Sequence, residues 1–241
     1  MTGTLINSAT IILGTILGLL FGTKLPERAR ESVLLVLGVF TLAIGINLFM
    51  QGTSFEGENV LLPLVSLLIG ALLGEWWRVE HRLERIGAAL EQRFARGGRG
   101  AEQGTRFIRG FVSASLLFCV GPMTILGSIQ DGLTGNYELL AIKAVLDGFA
   151  SLALASSFGI GVLFSVLVVL LYQGGLSLAA AQLQSLFSPL MVAEISVVGG
   201  VLLLSLAIST LLRLKPIRTA NLLPAILIVP LLVLIVEQMG F

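Results

Sequence analysis

The chain has 241 residues, of which 56% are hydrophobic and 12% charged, with a mean hydropathy of +0.98 and a formal net charge of +1. Such a composition cannot cover a water-facing surface with polar side chains, so a soluble globular domain is excluded and a polytopic membrane protein is expected. Every apolar run is nearly continuous in Leu, Ile, Val, Ala and Gly without strand alternation, which points to an all-α membrane helix bundle rather than a barrel.

At about 20 residues per bilayer-spanning helix, eight spans are expected. The first runs from Leu5 to Gly22. No Lys or Arg precedes Lys24 and no small-residue cleavage pattern follows the run, so it reads as a permanent span and not a signal peptide. The others are Val33 to Met50, Val60 to Trp77, Ile108 to Ser128, Leu139 to Ser157, Ile160 to Leu178, Ile195 to Leu212 and Leu222 to Val236. The fifth and sixth are joined by little more than Phe158 and Gly159, and could instead form one bent re-entrant hairpin. Residues 1–241 thus read as one transmembrane domain, with an Arg-rich amphipathic loop over 78–106.

Basic residues favour cytoplasmic loops. Lys24, Arg28 and Arg30 lie in the first loop, eight arginines lie in the third (Arg78 to Arg109), and Arg213, Lys215 and Arg218 lie in the seventh. The second loop carries Glu56 and Glu58, the fourth Asp131 and Glu138, and neither holds a Lys or Arg; the sixth has no basic residue. Eight spans with both termini outside satisfy all of these loops. Trp76, Val79, Leu83, Ile86, Leu90 and Phe94 recur at helical spacing, so the third loop is expected to form an amphipathic helix on the inner membrane surface, with Trp76 and Trp77 at headgroup level. Arg96 to Gly104 reads as a linker. Topology anchoring explains this basic segment better than a nucleic-acid site. Glu75 is expected to pair with a nearby basic residue.

Glycine patterning concerns packing. Ile12 to Gly18 (ILGTILG) and Leu68 to Gly74 (LIGALLG) share a Gly-x-x-x-Gly heptad, the pattern of close helix crossings, and hint at an internal duplication. Small helices and short loops leave little room for a central cavity in a monomer, which makes a homodimer plausible.

Much chemistry is excluded. Cys119 and His81 are the sole residues of their types, so an intramolecular disulfide, cysteine metal clusters, the His-Glu-x-x-His zinc motif and a Ser-His dyad are absent. No phosphate-cradling glycine loop precedes a lysine. No cofactor or metal and no enzymatic activity is expected.

The fourth and fifth spans carry the candidate site. Gly121-Pro122 falls mid-span, where proline removes a backbone donor and clashes with the carbonyl of Phe118, so the helix should kink or break. A mid-membrane break leaves free carbonyls on one half-helix and a positive N-terminal end on the other, an arrangement used at ion and substrate sites. Thr124, Ser128 and Asp131 share one face beyond it, beside Gln130. Lys143, Asp147 and Ser151 follow at four-residue steps on the fifth span, with Asp147 about 13 Å below Glu138. Charge at that depth costs a few kcal/mol unless paired or used. Asp147 is therefore expected to bind an ion or proton, with Lys143 as counter-charge; the alternative is a neutral pair that fixes helix register. Asn7, Asn47, Glu194 and Asn221 lie near expected membrane boundaries, where solvent or headgroups would satisfy them.

The run Phe118 to Leu133 (FCVGPMTILGSIQDGL), followed by Ile142 to Phe149 (IKAVLDGF), resembles a bacterial multi-pass membrane family, the domain of unknown function numbered 554. Gly3 to Asn7 and Asn221 to Pro224 extend the likeness across nearly the whole chain. The resemblance implies several spans and an inner-membrane placement. Two functional classes remain: a small secondary transporter or channel for an ion or polar solute, and a membrane scaffold or partner subunit. A third, an aspartyl protease using Asp131 and Asp147, requires the two carboxyls to meet near the middle of the membrane.

Overall fold

The computed structural model describes residues 1–22, 26–94, 101–120, 122–183 and 188–239. Lys24, Gly121 and the linker positions 96–100, Arg96 and Arg99 among them, lie outside these. The architecture is all-helical, with no strand among the described residues. In chain order the helices are α1 (Thr2–Gly22), α2 (Glu27–Thr53), α3 (Leu61–Trp77), α4 (Val79–Phe94), α5 (Ala101–Cys119), α6 (Pro122–Thr134), α7 (Glu138–Phe158), α8 (Ser165–Leu178), the single turn α9 (Ala180–Leu183), α10 (Pro189–Leu206) and α11 (Pro224–Met239). A 3-10 segment (Gly159–Phe164) joins α7 to α8, a π segment (Ala207–Leu211) ends α10, and a 3-10 turn (Thr219–Leu222) leads into α11.

Polarity is inverted relative to a water-soluble protein. Leu13, Leu17, Val36, Leu72, Phe149, Leu171 and Leu227 point outward, while Thr4, Asn7, Thr15, Ser66, Ser128, Asp147, Gln173 and Glu194 are buried. Apolar perimeter around polar interior is the arrangement hydrocarbon solvent selects, because no water reaches a polar group on the lipid face. Five helical stretches among the described residues are long and apolar enough to cross a membrane, or up to seven if each of two bent pairs is one span.

One of the five, Glu138–Leu178, is 41 residues long and doubles back on itself. Leu140 of α7 and Gln173 of α8 both meet the first turns of α1, at Gly3 and at Thr4 and Asn7 respectively. Phe158 and Gly161, at the other end, meet Gly110 and Phe107 at the start of α5. Gly159 makes the reversal with φ 82°, a conformation side chains with a Cβ resist.

Glycine seams dictate the pairings. Gly14 and Gly18 of α1 abut the backbone of α7 at Gly148 and Leu152, and the two helices run parallel. Gly70 and Gly74 of α3 abut the backbone at Ala225 and Asn221, with the two segments antiparallel. A third seam escaped the sequence reading: Gly38, Gly45 and Gly52 of α2, seven residues apart, face Leu212, Gly200 and Val197 of the α10 region. Glycine thus serves close packing, as the spacing implied.

The third loop differs from expectation. Arg78 adopts a left-handed conformation (φ 52°) that ends α3, so Trp76 and Trp77 close α3 rather than open α4, and the axes bend by 50°. The inward face of α4 is also not left for lipid. Its Gly87 lies against Ile108 and Phe111 of α5, and Leu83 packs on Leu116 and Ala220, whereas Ile86 stays exposed. Glu75 forms the expected ion pair, a two-pronged contact with Arg218 at 3.0 and 2.9 Å.

Candidate functional site at the helix break

The fourth span is broken where Gly121-Pro122 implied. α5 ends at Cys119, α6 begins at Pro122, and their axes diverge by 63°. The hydroxyl of Thr124 turns back and donates to the carbonyl of Phe118 at 3.2 Å, the acceptor proline leaves without its helical donor. Thr124 therefore first repairs the break. Ser128 donates to the carbonyl of Thr124 and Ser151 to that of Gly148, so both hydroxyls serve their own helices.

Lys143 and Asp147 on α7 are both 6% exposed and joined by a direct ion pair from Nζ to Oδ2. The same oxygen accepts from Asn7 Nδ2 at 2.9 Å. Asn7 Nδ2 also reaches Gln173 Oε1 at 3.0 Å, and Gln173 Nε2 donates to Thr4 at 3.2 Å. The network thus ties α7 to α1 and α1 to α8.

It is incompletely satisfied. Among the described residues, no donor reaches Asp147 Oδ1, Lys143 Nζ has the one partner Asp147 Oδ2, and Asn7 Oδ1 is buried without a partner. An ammonium offers three donors and a carboxylate about four acceptor positions, so most of the pair's hydrogen-bonding capacity is unused. Lys143 and Asp147 both line a cavity of about 120 Å³ between α2, α7, α10 and the break, whose wall includes Thr41, Val120, Met123, Thr124 and Leu203. Space of that size holds on the order of a few waters.

The structure gathers Lys143, Asp147 and Thr124 around this cavity and leaves the other expected residues elsewhere. Gln130 is exposed. Asp131 is buried, but its Oδ2 accepts from the backbone N–H of Gly3 at 3.0 Å, and the Met1 nitrogen lies 3.1 Å from Oδ1. A carboxylate there caps the first turn of α1, where the helix dipole favours negative charge. Asp131 and Asp147 thus have separate partners. Ser128 and Ser151 do not line the cavity.

Three residues assigned to solvent or headgroups are buried instead. Asn7 is 0% exposed in the network above. Glu194 is also 0% exposed, since α10 begins at Pro189, six residues before the expected Ile195; its Oε1 accepts from Asn59 N–H. Asn221 accepts from the N–H of Glu80 and fixes α4 to the turn before α11. Asn47 stays exposed, as expected, and accepts from Gln51. Gln173 was missed altogether, although a lone amide inside the apolar run Ile160 to Leu178 is a legible signal.

Residues 2–234 match the family described as "Protein of unknown function (DUF554)". The chain belongs to this family. It is 33% identical over 240 residues to "Uncharacterized membrane protein YdfK" of Bacillus subtilis (strain 168), covering 100% of this chain and 99% of the relative. It is 34% identical over 226 residues to "Uncharacterized protein YqgA" of Escherichia coli (strain K12), covering 94% and 93%. No solved structure matches. Family, helical inside-out fold and apolar span lengths together make this a membrane protein.

Proposed function

We propose that the chain is a non-enzymatic inner-membrane protein of eight spans, with both termini outside, that passes an ion or small polar solute across the bilayer. The observation carrying this reading is the under-satisfied Lys143–Asp147 pair on a small cavity at a broken helix. A charged pair kept only to lock helices together would be expected to saturate its hydrogen bonds, because each open position in a low-dielectric interior is costly. Here Asp147 Oδ1 and Asn7 Oδ1 supply free acceptors. Thr124 and the half-helix beginning at Pro122 adjoin the same space. Asp147 holds the cation or proton, Lys143 balances its charge when the site is empty, and Asn7 and Gln173 orient the carboxylate. The fold-back of α7 on α8 supports counting them as two spans, which with the two bent pairs gives eight.

One observation favours a second reading, a scaffold whose polar pair is a pin: Asn7 and Gln173 link the pair to α1 and α8. A thermal-stability screen of purified protein against alkali cations, anions, amino acids, polyamines and a pH series separates the two by linkage. It should include Asp147→Asn and the paired change Lys143→Met with Asp147→Leu, since replacing a whole buried pair avoids stranding one charge. A carrier gives a solute that raises the wild-type midpoint but neither variant's, followed by loss of at least tenfold in liposome flux. If no solute moves the wild type and the variants lose stability or assembly, the pin reading stands.

A further inference from the structure

A second, larger cavity shares no lining residue with the Lys143–Asp147 site. It encloses about 380 Å³, within the range of small-ligand sites, between α4, α5, the π segment of α10 and the loop that follows. Arg109 and Arg213 stand on its wall, and neither makes an ion pair or hydrogen bond among the described residues. Hydroxyls of Ser113, Ser209, Thr210 and Thr219 line the same space. Ser113 is 1% exposed, and its hydroxyl also makes no hydrogen bond among the described residues.

The backbone is irregular on the same wall. The π segment Ala207–Leu211 lets α10 bulge there, a feature common at functional sites. Arg213 then ends the helix at φ 54°, with Leu214 N–H bonded to the Ile208 carbonyl. Glycine fits that position without strain, whereas this chain places an arginine there, at the cavity. Two carboxylates adjoin: Glu80 accepts from Ala220 N–H, and Glu84, half-exposed, lies 3.8 Å from His81 on its own helix. Burial raises the Glu80 carboxyl above its ordinary value.

We infer that this cavity binds a phosphoryl group, held by Arg109, Arg213 and the Ser113 and Thr219 hydroxyls. Two guanidiniums carry up to ten N–H donors between them, more than a planar carboxylate can use, and match the spread acceptors of a tetrahedral anion. The group could come from a phospholipid headgroup or from a soluble phosphate, and the recognising chemistry is shared.

The experiment is a thermal titration of the purified full chain with inorganic phosphate and, separately, with dihexanoyl phosphatidylglycerol, each against sodium chloride at matched ionic strength. The expected result is a saturable rise in midpoint of several degrees with at least one probe. The apparent affinity falls at least tenfold in Arg109→Gln and Arg213→Gly and is unchanged in Arg93→Gln. Arg213→Gly suits the left-handed turn and so removes the guanidinium while keeping the fold. A response to the lipid alone assigns a headgroup site, and one to phosphate alone a soluble ligand. The inference is overturned if neither probe gives a saturable rise beyond chloride, or if the rise survives unchanged in Arg109→Gln and Arg213→Gly.

Discussion

A carboxylate four residues after a lysine finds it on any helix, so the Lys143–Asp147 contact needs nothing from the rest of the chain. What the rest supplies is the environment: burial to 6%, an amide from α1 and one from α8. Thr124 shows the same division. Pro122 dictates that the Phe118 carbonyl loses its donor, and the hydroxyl two residues further on replaces it. Thr124→Val should therefore strand a buried acceptor and destabilise the protein by about 1–3 kcal/mol, while Thr124→Ser keeps most of the stability. Thermal or denaturant unfolding of the three proteins in detergent measures this, and equal stability of Val and wild type would show that the carbonyl has another partner.

Helix pairing follows from where side chains are missing. The α2–α10 crossing is set by Gly45 against Gly200, where a methyl group added at Gly200 would sit 2.7 Å from the Gly45 carbonyl oxygen and 2.8 Å from Phe49 N. Those are backbone atoms, which cannot swing aside as a side chain can. Gly200→Ala should thus force the helices apart at a cost of about 1–3 kcal/mol, read as a lowered unfolding midpoint. Gly175→Ala, at a site with nothing within 4 Å, should be neutral or slightly stabilising in the same assay. The two helices that bend, α3 into α4 and α5 into α6, do so for different local reasons: a left-handed Arg78 in one, a proline in the other. Proline could be read in advance, but a non-glycine residue in the left-handed region could not.

Across the whole molecule, the ends of the elements sort into two groups. The third and seventh loops meet at one end, where Arg218 holds Glu75 and Asn221 holds α4, and the α7–α8 reversal abuts the start of α5. At the other, Asn59 of the second loop meets Glu194, and Ser188 meets Glu237 at 2.9 Å. The proposed orientation can be tested because Cys119 is the sole cysteine. In a Cys119→Ser background, Lys215→Cys should react with an impermeant maleimide only from the cytoplasmic face, and Glu56→Cys only from the outer face. Labelling of both from one side would refute the eight-span topology.

The sequence alone determined the membrane class, the helical fold, the positions of most spans, the break at Gly121-Pro122 and the pairing of Lys143 with Asp147. These rest on composition, on run length against bilayer thickness and on interactions within one or two helical turns, all local in the chain. Tertiary structure alone decided which polar residues share a site. Asn7 and Gln173 are 166 residues apart and meet only because glycines let α1 lie against α7 while α8 doubles back beside them. Gln130 and Asp131, expected in the site, lie instead at the surface and against the α1 terminus. Helical periodicity fixes the face a residue shares with its neighbours, but what that face meets depends on crossing geometry, which is set by side-chain volume summed over the whole bundle.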